Sequence, residues 1–159
     1  MLHEGTISDA GITGVVGAPL LTNRATAVLA DAANAARRLR QEAVGTEHLL
    51  LALLAERTLA ATLEVLGVEP RLLRQRMEAA LPPGSPRTAA RAAAAPTPQL
   101  RQALQLAEAE AARSGHAIGP EHLLLGLVSV RTGAAPKLLR QAGVSLKAAR
   151  RALEGMERA

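Results

Sequence analysis

Two stretches of this chain set an acid beside a histidine at the head of a leucine run: VGTEHLLLALL from Val44 and IGPEHLLLGLV from Ile118. A carboxylate next to an imidazole is raw material for acid–base catalysis or for a metal centre. The spacing argues against both. Neighbouring residues on a helix point about 100° apart, so Glu47 does not face His48, and Glu121 does not face His122. The zinc spacing H-E-x-x-H is absent, and no two of His3, His48, His116 and His122 stand four apart on one helical face. There is no cysteine, which removes thiolate catalysis and cysteine-rich zinc sites. No nucleophile–base–orienter set can be assembled. The chain is therefore expected to be non-enzymatic, with no catalytic residue, no metal and no cofactor. His48 and His122 are expected to pack or hydrogen-bond at equivalent places in two related units.

The elements that carry these residues follow from composition and period. The chain has 159 residues, 48% of them apolar, and no Phe, Tyr or Trp. Its interior must be built from Leu, Val, Ile, Met and Ala, and the abundance of alanine and leucine points to an all-α fold. Two units of similar design occupy most of the length. Thr22 opens TNRATAVLADAANAARRL and Thr97 opens TPQLRQALQLAEAEAARS, each a helix N-cap followed by an Ala/Leu segment of helical period. The Glu-His helices come next, with Thr46 expected to cap the first and Pro120 to fit the first turn of the second. Third segments end at Gly67 and Gly143, natural left-handed stops. The closing segments EPRLLRQRMEAAL and SLKAARRALEGM read as amphipathic helices whose Arg71, Arg74, Arg76, Lys147, Arg150 and Arg151 are expected to be solvated.

The expected architecture is thus eight helices in two four-helix repeats, related by a pseudo-twofold axis. Residues 1–18 are expected to be a flexible tail, 19–81 the first repeat, 82–96 a Pro/Gly/Ala linker, and 97–159 the second repeat. Neither repeat of about 60 residues buries much apolar surface alone, so the two are expected to form one compact domain. The N-terminus carries Glu4 and Asp9 where a signal peptide needs positive charge, and no apolar run approaches the length of a membrane span. A cytoplasmic protein without a membrane anchor is the expectation. The net charge of +5 is compatible with nucleic acid, but the chain has no aromatic stacking platform and no dense basic block. A basic helical nucleic-acid-binding regulator is the alternative reading.

The doubled G-[TP]-E-H-L-L-L-[AG]-L block, with its later LGV or AGV element before a basic helix, resembles the double Clp N-terminal repeat. That domain stands at the front of the ClpA and ClpC unfoldase ATPases. The resemblance spans about Thr22 to Met156. It departs in three ways: the aromatics usual in the family are missing, Arg40-Gln41 replaces the Gly-His that survives as Gly115-His116, and the loops after the leucine runs are altered. No G-x-x-x-x-G-K-[ST] phosphate loop occurs in these residues. If the 159 residues are the whole protein, the resemblance implies a free-standing Clp-N module without its motor.

What the resemblance implies about function is recognition. Domains of this kind bind protein substrates, degrons or adaptors, and ClpC-type members take phosphoarginine on marked proteins. Carried across, a glutamate would meet the guanidinium and a nearby helix start the phosphate, using Glu47 with Thr22 and Glu121 with Thr97. The residues themselves leave a structural reading open, in which both glutamates merely compensate a helix dipole. The expected partners are clients or adaptors of a Clp unfoldase, with the chain acting as adaptor or decoy.

Overall fold

The computed structural model describes residues 20–84 and 95–158. The expected tail at 1–18 and most of the expected linker lie outside these residues. Eight helices are present among the described residues: α1 (Asn23–Arg38), α2 (Thr46–Leu54), α3 (Arg57–Val65), α4 (Pro70–Ala80), α5 (Pro98–Ser114), α6 (Pro120–Ser129), α7 (Ala134–Gln141) and α8 (Leu146–Arg158).

The caps form where local chemistry demands them. Thr22 Oγ1 accepts the Ala25 N–H at 3.0 Å and Thr97 Oγ1 accepts the Leu100 N–H at 3.1 Å, satisfying orphan donors of α1 and α5. Gly67 and Gly143 adopt φ of +82° and +88° after α3 and α7. Gly115 does the same after α5 at +71°, but its counterpart after α1 is Arg40, held at +58°. A side chain there carries a left-handed penalty that glycine avoids.

The two leucine-run helices are the centre of the molecule. Eight of the nine residues of α2 and eight of the ten of α6 are buried. A short helix that is apolar all round can only be an interior one. The flanking helices approach through small residues. α5 lays Ala103, Ala107 and Ala111 against α6, and a Cβ on Gly126 would collide with the Ala103 carbonyl. With no aromatic rings available, close backbone approach rather than ring volume closes the core.

The halves interlock reciprocally. α1 touches α6 while α2 touches α5, and α3 packs on α8 while α4 packs on α7. One hydrophobic core runs through both repeats. Each contact has a partner obtained by exchanging the units, which is the mark of a pseudo-twofold. A feature absent from the sequence reading is a two-stranded parallel ribbon, β1 (Ala43–Val44) with β2 (Ala95–Pro96), pairing Ala43 with Ala95 and Val44 with Pro96. A single bridge joins Leu21 to Ile118 at the matching place. Ala95 and Pro96, expected in the linker, are therefore strand residues; two residues are too few to leave a period-two pattern. No described helix is long and apolar enough to cross a membrane.

Candidate functional site

The Glu-His helices begin with a glycine, not with the threonine expected for α2. Gly45 is the N-cap at φ −114°, Thr46 is the first helical residue, and Thr46 is 2% exposed. The missing cap side chain is answered from the third helical position. His48 Nδ1 accepts the Gly45 N–H at 2.9 Å, and His122 Nδ1 accepts the Gly119 N–H at 2.9 Å. This is one half of a capping box with imidazole in place of the usual Glu or Gln. An accepting Nδ1 leaves the proton of a neutral ring on Nε2. Burial lowers the His48 pKa, against a smaller upward push from Glu47. His48 is fully buried, and its Nε2 has no hydrogen-bond partner among the described residues. His122 Nε2 instead lies 3.5 Å from Ser114 Oγ. Both histidines are structural caps.

Each glutamate folds back over its glycine. A Cβ on Gly119 would sit 2.6 Å from Glu121 Oε1, and one on Gly45 would meet the Glu47 carboxylate as closely. The carboxylate occupies the space a Cβ would take, so a larger residue there must displace the glutamate side chain. Both glutamates are partly exposed, so each presents its carboxylate at the mouth of a helix N-terminus.

Backbone hydrogen bonds pair the helix starts across the two repeats. The Thr22 N–H donates to Ile118 O at 3.0 Å and the Ile118 N–H to Leu20 O at 2.9 Å, tying the start of α1 to the start of α6. The Thr97 N–H donates to Val44 O at 2.9 Å, tying the start of α5 to the start of α2. The start of α6, which carries Glu121, therefore adjoins Thr22, and the start of α2, which carries Glu47, adjoins Thr97. Within the first repeat, Thr22 and Glu47 lie towards opposite ends of α2. Arg24 reaches Glu56 at 2.8 Å, which puts the α1 start beside the C-terminal end of α2, about 10 Å along that helix from Glu47. A helical hairpin must run antiparallel, so its two N-termini cannot meet. Only the other repeat can supply the second one.

Glu121 also lines a cavity of about 260 Å³, together with Glu110, Arg113, Ser114, His122 and Arg150. Arg150, expected on a solvated face, makes a two-pronged fork to Glu110, with Nε on Oε1 at 3.2 Å and Nη2 on Oε2. The Arg150 guanidinium holds the Glu110 carboxyl below its usual range. Arg74 likewise turns inward to the Leu51 carbonyl at 3.3 Å. Glu110 and Arg150 are 40 positions apart, and their pairing leaves no local signal.

An all-α duplicated module with helix starts paired reciprocally between its repeats is the class these observations define. The Clp repeat N-terminal domain model matches residues 20–118 and again 95–158. This chain belongs to that family. It is 36% identical over 132 residues to the chaperone protein ClpB of Oceanobacillus iheyensis, covering 81% of this chain and 16% of that one. The negative regulator of genetic competence ClpC/MecB of Bacillus subtilis is also 36% identical, with the same coverage of both chains. The chain thus spans about a sixth of the length of these relatives. Among solved structures, the Hsp104 N-terminal domain from Candida albicans superposes with a TM-score of 0.71 at 16% identity, covering 83% of this chain and 87% of that one. The N-terminal domain of ClpD from Arabidopsis thaliana gives 0.63 at 19% identity, covering 86% and 94%.

Proposed function

We propose that this chain is a non-enzymatic recognition module of the Clp system that binds phosphoarginine-marked protein clients at two clefts. One cleft uses Glu47 with Thr97, the other Glu121 with Thr22. In each, the glutamate takes the guanidinium in a charge-assisted fork, and the neighbouring helix start of the other repeat receives the phosphate. The module acts as an adaptor that delivers clients to a Clp unfoldase, or as a decoy that withholds them.

One observation supports this reading: backbone hydrogen bonds bring two helix N-termini side by side, with a partly exposed carboxylate on one of them, and do so twice. A lone anion would be repelled by that carboxylate, and a lone cation by the paired dipoles. A group carrying both signs satisfies both.

Calorimetric titration with free phosphoarginine tests it, with arginine and phosphoserine as controls. Phosphoarginine should bind at two sites and the controls should not saturate. Glu47→Ala should remove one site and Glu121→Ala the other, each weakening its own cleft roughly tenfold to a hundredfold, as expected for losing a hydrogen bond to a charged group. Equal binding by the double variant would overturn the site assignment.

A further inference from the structure

The scaffold is duplicated, but one surface of it is not. Where the end of α3 meets the start of α8 lies a groove of about 520 Å³, walled by Val65 and Leu66 on one side and by Lys147, Ala148, Arg151 and Ala152 on the other. Its walls belong to different repeats and are held together beneath, where Thr62 Oγ1 lies 2.9 Å from Met156 Sδ. Along α8 the residues form two adjacent stripes of spacing four. Ala148 and Ala152 make a shallow apolar trough, and Lys147 and Arg151 make a cationic rim. Val65 stands over the trough at 66% exposed. No acid lines the groove, and neither Lys147 nor Arg151 makes an ion pair among the described residues.

The matching place in the first repeat lacks this design. Aligned on Gly67-Val68 and Gly143-Val144, the α4 residues are Arg71, Leu72, Gln75 and Arg76. Glutamine interrupts the cationic rim, and Leu72 and Arg76 fill what is an alanine trough on α8. Structural duplication therefore does not account for the groove.

We propose that this groove docks a short amphipathic helix of a partner protein, carrying Glu or Asp beside an apolar stripe. The apolar trough selects an apolar stripe, and two exposed cations with no neighbouring acid in the lining select acids next to it. From Ser145 to Ala152 the wall runs about 10 Å, the length of two turns of a docked helix with anchors at i, i+3 or i+4, and i+7. The site is separate from the helix-start clefts and does not rest on their ligand.

The probe is a fluorescein-labelled stapled helix of about 14 residues, with leucines at those spacings and glutamates flanking them. A second peptide carries lysine for every glutamate. Both are titrated against the full chain, with amide shifts followed by NMR. The acidic peptide should bind and shift the amides of α3 and α8. Lys147→Glu with Arg151→Glu should weaken it about tenfold or more, and this variant should prefer the lysine peptide. Val65→Asp should weaken the acidic peptide, while Glu47→Ala with Glu121→Ala should leave it unchanged. All five positions are at least partly exposed, so the variants should keep the wild-type circular dichroism. Absence of binding, shifts confined to other helices, or equal affinity in the double charge reversal would overturn the proposal. So would displacement of the peptide by one made of residues 1–19, or self-association abolished by the same reversal, since either would give the groove to this chain itself.

Discussion

Burial keeps the His48 imidazole neutral, and its Nδ1 must stay unprotonated to accept the Gly45 N–H. Its folded pKa lies below the ordinary 6.5, so as pH falls the unfolded chain takes up this proton first. The stability it confers is complete above about pH 6.5 and is lost from there down through the folded pKa. Urea midpoints measured from pH 7.5 to 5 should decline for the wild type. His48→Gln keeps a side-chain acceptor for the cap without a titrating group, and its decline should be shallower; equal slopes would contradict the assignment. The glycines ahead of the histidines make a second prediction. Gly119→Ala has an acceptable φ of −107°, but the new Cβ takes the space of the Glu121 carboxylate. It should cost no more than about 1 kcal/mol in stability, the scale of an N-cap change. Phosphoarginine affinity at that cleft should nonetheless fall, read by the titration described above.

Among elements, the two repeats differ most tellingly at the ends of their first helices. After α5 the chain turns left-handed at Gly115; after α1 it does so at Arg40. The hydrogen bonds that close the two turns correspond, from Arg40 and Gln41 in one and from Gly115 and His116 in the other. Arg40→Gly should therefore stabilise the protein by about 1 kcal/mol, visible as a rise in the urea midpoint. Helix pairing gives two further predictions, both destabilising. Gly126→Leu would push α6 off the Ala103 carbonyl and should destabilise by roughly 1–3 kcal/mol, as overpacked cores do. Arg150→Ala removes the fork between α5 and α8 and should cost on the order of 1–2 kcal/mol, because Glu110 is left mostly buried without its main partner. Both are read by chemical denaturation.

At the scale of the whole molecule, the halves share their core and exchange the partners of their helix starts. A fragment of residues 19–81 keeps the α1–α2 hairpin but loses the edge of α2 that packs against α6 and α7, and the strand that pairs β1. It should show no cooperative thermal transition, and mixing it with a fragment of residues 82–159 should restore one, followed by circular dichroism.

Much of this was legible in the chain itself. The caps Thr22 and Thr97, the stops at Gly67 and Gly143, the burial of the leucine runs and the repeat all follow from local rules: a side chain reaching its own backbone, a φ only glycine adopts freely, a period matched to a helix. Thr46 misled, because the helix starts one residue earlier than a threonine cap requires: Gly45 is the N-cap and Thr46 is the buried first helical residue. The Glu110–Arg150 fork, the two-residue ribbon and the placing of the α1 start beside α6 and of the α5 start beside α2 were decided by tertiary structure alone. Repetition establishes that two halves are alike. How they face each other depends on which apolar surfaces meet, and that is a property of the folded pair that neither half encodes by itself.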